Sequence, residues 1–193
     1  MSLHEEIRRY TLEIQHYPNS YMAYFNRGNA YYDLGKYELA ISDFSKAIQM
    51  DPNYYTAYYN RGTVYKELGK YQLAIQDLNR AIELNPNWSS SYTNRGIAYR
   101  NLGQYERAIQ DLDKALKLNP NDEYAYFNRG LIYFKQSQYE RAIQDYDSSI
   151  QFNQPNTNCA EAYYWRGVAY ANLGNNKKAQ ADFARARELG YKV

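Results

Sequence analysis

Residues 24–48 read YFNRGNAYYDLGKYELAISDFSKAI, and the tripeptide Asn26-Arg27-Gly28 within them returns at Asn60-Arg61-Gly62, Asn94-Arg95-Gly96 and Asn128-Arg129-Gly130. A tripeptide that returns every 34 residues is either a binding device used several times or one packing problem solved several times. Aligned on the glycine, the chain divides into five repeats, 21–54, 55–88, 89–122, 123–159 and 160–193, the fourth lengthened by three residues. With each repeat numbered from 1, position 8 is always Gly and position 20 always Ala, while positions 4 and 11 are always Tyr. Position 24 is Phe44, Leu78, Leu112, Tyr146 and Phe183. Positions 4, 8 and 11 share one helical face, as do 17, 20, 24 and 27, so each repeat predicts two amphipathic helices. Glycine at position 15 of four repeats, and Pro52, Pro86 and Pro120 at position 32, punctuate the turns. The reading is all-α, with residues 1–193 as a single domain.

This pattern resembles the tetratricopeptide repeat family, whose period and W-x2-L-G-x2-Y, A-x3-F and P signature it follows over almost the whole chain. The resemblance implies a right-handed α-solenoid of helix-turn-helix repeats. It also implies a non-enzymatic scaffold that binds a peptide segment of a partner protein in a concave groove. Two departures stand out: position 4 is Tyr rather than Trp, and position 7 is Arg27, Arg61, Arg95, Arg129 and Arg166 where the family has Leu.

Each of these arginines is followed 16 residues later by an aspartate: Asp43, Asp77, Asp111, Asp145 and Asp182. In two antiparallel helices folded about position 15 the two positions lie level, which predicts a repeated, partly buried ion pair with the arginine stem covering apolar surface. The rival reading, an arginine ladder for phosphates, has no use for one aspartate per arginine. The asparagine admits two readings. By the family resemblance Asn26, Asn60, Asn94 and Asn128 line the groove, where a donor and an acceptor suit a peptide main chain. Alternatively, each simply tolerates the crowded groove or hydrogen-bonds a neighbouring helix. No recurring partner at a packing position is apparent for it. The resemblance places Phe25, Tyr59, Phe127, Tyr164 and Trp165 beside them, with Tyr32, Tyr124 and Phe134, and sets Asp33, Glu67 and Glu161 against Lys66, Arg100 and Lys135. The groove so drawn is aromatic and near neutral. It lacks the basic residues at positions 2, 5 and 6 with which chaperone-adaptor members grip a terminal carboxylate, and the positive track that single-stranded nucleic acid needs.

Residues before Tyr21 align with the second helix of a repeat, IRRYTLEIQHYPNS against ISDFSKAIQMDPNY, so residues 1–20 read as a half-repeat cap. Glu6 and Glu13 stand there at positions elsewhere small, and Gln180 and Arg187 replace Ile or Leu in the last repeat. Polar faces at both ends predict a capped array. The link Asn153–Cys159, longer than the others, is expected to be the first site of proteolysis.

Lys plus Arg number 23 against 21 Asp plus Glu, a net charge of +2 that gives no general pull toward nucleic acid or anionic lipid. The start has no apolar segment of a secretion signal, and no run approaches a membrane span. One cysteine, Cys159, leaves no internal disulfide and suits a reducing compartment, hence a cytoplasmic expectation. His4 and His16 stand alone in the cap, so neither a metal, a cofactor nor a catalytic centre is expected. The function expected is therefore protein or peptide binding without nucleic acid or membrane insertion, and the alternative is a homo-oligomerising scaffold using aromatic surface.

Overall fold

The computed structural model describes residues 2–152 and 159–192. Among them the chain is built of α-helices joined by short turns: α1 (Leu3–His16), α2 (Tyr21–Asp33), α3 (Tyr37–Met50), α4 (Tyr55–Glu67), α5 (Tyr71–Leu84), α6 (Ser89–Asn101), α7 (Tyr105–Leu118), α8 (Glu123–Lys135), α9 (Tyr139–Phe152), α10 (Ala160–Asn172) and α11 (Asn176–Glu188). Residues 153–158 of the long link, the expected proteolytic site, lie outside the described residues. The chain forms two compact units, Met1–Ala98 and Tyr99–Val193.

In the N-terminal unit α2 packs on α3 and α4 on α5, with α1 against α2, α3 against α4, and α2 touching α4. The small residues set how closely the helices approach. A Cβ on Gly28 would stand 2.8 Å from Cε1 of Phe44, so the Gly of position 8 is the socket for the ring of position 24. Phe44, Ala40 and Val64 form a core whose margin is Phe25, Tyr31 and Leu68. The unit begins with a capping box at Ser2, whose hydroxyl accepts from the Glu5 amide while the Glu5 carboxylate accepts from the Ser2 amide. Helix α1 contributes no buried residue, in keeping with packing on one side only.

In the C-terminal unit α8 packs on α9 and α10 on α11, with α7 against α8, α9 against α10, and α8 touching α10. The socket recurs: a Cβ on Gly130 would meet Tyr146 Cε1 at 2.8 Å. Turns within the repeats need a left-handed residue. Gly35, Gly69, Gly103 and Gly174 supply it at φ 69° to 77°, and Ser137 stands in the same place at φ 60°. Gln180 and Arg187 of α11 are exposed.

Candidate functional site

The first helices of the repeats carry the candidate residues, and the position-7 arginine holds those helices in place. Arg27 Nε and Nη2 donate to Asp43 at 2.7 and 2.8 Å, and Arg61 makes the same fork to Asp77 at 2.7 Å twice. Arg129 forks to Asp145 at 2.9 and 2.7 Å, and Arg166 to Asp182 at 2.8 and 2.7 Å. The bidentate geometry matches carboxylate to guanidinium. The aspartates are almost buried and the arginine stems largely so. Burial raises the Asp145 carboxyl against the lowering effect of Arg129. Around Arg129 burial is the largest single effect, but the bonds and charges of Asp145 and Asp113 outweigh it and hold the guanidinium above its ordinary value.

These arginines also make a second contact that the spacing within one repeat does not announce. The remaining nitrogen, Nη1, reaches back to position 25 of the preceding repeat: Arg27 to Thr11 at 3.2 Å, Arg61 to Ser45 at 2.8 Å and Arg95 to Asn79 at 2.7 Å. In the C-terminal unit the acceptors are Asp113, at 2.5 Å from Arg129, and Asp147, at 2.6 Å from Arg166. The polar residue 16 before each of the first four arginines was the signal available in the sequence. The arginines also lie over the tyrosines of position 4, Arg27 at 5.6 Å from the Tyr24 centroid and Arg166 at 5.1 Å from Tyr163, a cation–π contact added to the fork.

The asparagines do have recurring partners, though not at a packing position. Asn60 Nδ2 donates to Asn29 Oδ1 at 2.7 Å and Asn94 Nδ2 to Thr63 Oγ1 at 3.2 Å. Lys66 Nζ donates to Asn94 Oδ1 at 3.0 Å, and Arg100 Nη1 to Asn128 Oδ1 at 2.6 Å, while Asn128 Nδ2 donates to the Tyr124 carbonyl. Each partner sits at position 9 or 12 of the preceding first helix, apart from the intrahelical Tyr124 carbonyl, and a partner at that offset is invisible when only one repeat is read. Asn94 and Asn128 are buried, whereas Asn26 and Asn60 are half-buried. The neighbour-bonding reading thus accounts for the contacts of Asn60, Asn94 and Asn128, and Lys66 and Arg100 are enlisted in the same contacts.

The aromatics divide. Phe25 packs on Phe44 and Tyr54 at centroid distances of 5.7 and 4.9 Å, Phe127 on Tyr146 at 5.9 Å, and Tyr164 on Phe183 and Tyr191 at 5.7 and 4.4 Å. These three therefore brace their own repeats. Tyr59 meets Trp88 at 4.2 Å and Trp165 meets Phe134 at 5.3 Å, and both also border open cavities. The cavity of the N-terminal unit, about 430 Å³, lies between α2 and α4, with Tyr32, Asp33, Tyr59 and Asn60 in its wall and Phe44 beneath. That of the C-terminal unit, about 370 Å³, has Arg100, Phe134, Lys135, Glu161 and Trp165 in its wall. Tyr124 is about half exposed. Among the described residues no cluster of three His, Cys, Asp or Glu could hold a metal ion, and no helix is long and apolar enough to cross a membrane.

Paired antiparallel helices, small residues at each crossing and side-by-side first helices define an all-α protein of the helical-solenoid class, made of helix-turn-helix repeats. The chain belongs to the tetratricopeptide repeat family. A TPR repeat model matches residues 28–69 and 98–137, and three tetratricopeptide repeat models match 55–87 and 123–156, 78–110, and 160–189. No curated protein matches the sequence significantly. Among solved structures the chain is similar to the MamA protein, with 26% identity over 88% of this chain and 91% of that one and a TM-score of 0.72. It is also similar to YrrB, described as a TPR protein with an unusual peptide-binding site, with 25% identity over 94% and 92% of the two chains and a TM-score of 0.70. TTC0263, a thermophilic TPR protein of Thermus thermophilus, 22% identical over 89% and 92% with a TM-score of 0.71, shares the fold.

Proposed function

We propose that the protein is a non-enzymatic scaffold that binds a peptide segment of a partner protein against the first-helix face of its repeats. The observation that carries this reading is the pair of cavities, one in each compact unit, walled by first helices and lined by aromatic side chains with a few polar groups. YrrB, with its peptide-binding site, lends support from a similar structure. Within this reading Tyr59, Trp165, Lys66 and Arg100 are the contact residues, joined by Phe25, Phe127, Tyr164 and the outward edges of Asn26, Asn60, Asn94 and Asn128. The test is selection of random linear peptides from a phage library on the immobilised chain. Recovered peptides are expected to lose roughly tenfold in affinity in Tyr59→Ala or Lys135→Glu, the size of a single warm contact in an interface. Peptides that bind regardless of both changes would place the binding face elsewhere.

A second reading, self-association, is favoured by one outer feature. Leu39 and Leu73, at the same repeat position of α3 and α5, are 47% and 41% exposed, and Leu12 of α1 is 47% exposed. Sedimentation of the purified chain over a range of concentrations, with Leu39→Lys and Leu73→Lys as the comparison, decides it: an assembly that dissolves in the variant supports it, and a monomer throughout removes it.

A further inference from the structure

The two cavities are built from overlapping repeat positions but carry opposite charge. Position 13 contributes Asp33 to the first and Lys135 to the second. The N-terminal cavity has one formally charged side chain in its wall, Asp33, and no lysine or arginine. Asp33 is exposed and, among the described residues, has no ion-pair partner. Around it stand Tyr32, Tyr59, Asn29, Asn60 and Thr63, with Asn29 Oδ1 accepting from Asn60 and Thr63 Oγ1 from Asn94. Burial, and after it the neighbouring Glu67 charge with a smaller part from Asp33, holds the Tyr32 phenol above its ordinary value. Glu67 lies outside the wall and is ion-paired with Lys66 at 3.2 Å, which leaves Asp33 as the wall's own charge. The second cavity instead sets Arg100 and Lys135 against Glu161.

Resting on the peptide-binding reading above, we propose that the N-terminal cavity is a recognition pocket for one lysine or arginine side chain of the bound segment. A guanidinium or ammonium entering it exchanges water for aromatic side chains, which attract cations, and for the Asp33 carboxylate among polar amide and hydroxyl groups. An acidic side chain meets only like charge there, so the pocket discriminates by repulsion as well as attraction.

The probe is Nα-acetyl-arginine methylamide titrated into the isotope-labelled full chain and followed by NMR, with the corresponding glutamate derivative alongside. The arginine probe is expected to shift the resonances of Tyr32, Asp33 and Tyr59 saturably, while the glutamate probe leaves them in place. Asp33→Asn is expected to weaken the arginine probe about fivefold, as loss of a charge-assisted contact does, and Asp33→Lys to abolish its binding. Shifts that never saturate, an equal response to glutamate, or unchanged binding in Asp33→Lys would each overturn the pocket. The peptide selection separates the two readings. Selected peptides without a basic residue, and indifferent to Asp33→Lys, would sink the pocket and leave peptide binding standing. Saturable arginine binding with no selectable peptide would keep the pocket and remove the groove.

Discussion

The same arginine keeps different company in the two compact units. In the N-terminal unit its backward nitrogen finds neutral acceptors, Thr11, Ser45 and Asn79, whereas in the C-terminal unit it finds the carboxylates Asp113 and Asp147. The forward fork is identical for Arg27, Arg61, Arg129 and Arg166 and ends on an aspartate with at most 9% of its side chain exposed, while Asp113 and Asp147 are 52% and 51% exposed. A buried guanidinium needs one desolvated counter-charge, and the remaining donor accepts any oxygen at the right height. The backward contact therefore varies in chemistry, and its charged acceptors are the ones that water shares.

The sharpest way to break that comparison is to remove the forward partner in each unit. Asp77→Ala leaves Arg61 with the Ser45 hydroxyl and the Tyr58 ring but no carboxylate, and is expected to cost about 3 kcal/mol, as stranding a buried charge does. Asp145→Ala leaves Arg129 its second carboxylate, Asp113, and should cost about 1 kcal/mol less. Urea denaturation measures both, and equal losses would mean that the backward contact carries no compensating weight. A smaller effect concerns the turns. Ser137→Gly, which gives the fourth repeat the turn residue that Gly35, Gly69, Gly103 and Gly174 give the others, should stabilise by about 1 kcal/mol by relieving a left-handed serine. A lower melting temperature would show the serine to be doing something other than turning. The Tyr146 hydroxyl is buried and has no hydrogen-bond partner among the described residues, and phenylalanine fills the same position at Phe44 and Phe183. Tyr146→Phe is accordingly expected to be neutral to stabilising, by up to about 1 kcal/mol, and a clear destabilisation would reveal a hidden partner for the hydroxyl. Smallest is the pair of backward acceptors. Asp113→Asn should cost a few tenths of a kcal/mol, roughly, and less still at high salt, while the effect of Ser45→Ala should not change with salt. The same salt response in both would erase the distinction between the units.

The architecture was legible in the sequence because it depends on spacing alone. Gly28 and Phe44 recur together as Gly130 and Tyr146, and such a pair can be recognised before any coordinate is known. The forward arginine fork was legible for the same reason, since Arg and Asp lie within one repeat and the turn fixes which positions face. What escaped were contacts between repeats. Asn60 to Asn29 and Lys66 to Asn94 join side chains 31 and 28 residues apart, offsets that fall just short of the period and correspond to no single helix face. The role given to Asn in the groove came from family resemblance, and resemblance places a residue without counting its bonds. Asp33 belonged to an overall neutral tally. Only the grouping of wall residues into two cavities separated its charge from that of Lys135.

The backward reach of the arginine bears on how such a chain can lengthen. Every repeat from the first to the fourth carries both an arginine that looks for an oxygen behind it and, at position 25, an oxygen offered to whatever comes next. A tandem copy of any one of them therefore arrives already matched to its template on both sides, with no charge left stranded at the new junction. Lengthening by a copied repeat needs no compensating substitution at this contact, because Thr11, Ser45, Asn79, Asp113 and Asp147 all offer the backward nitrogen an oxygen.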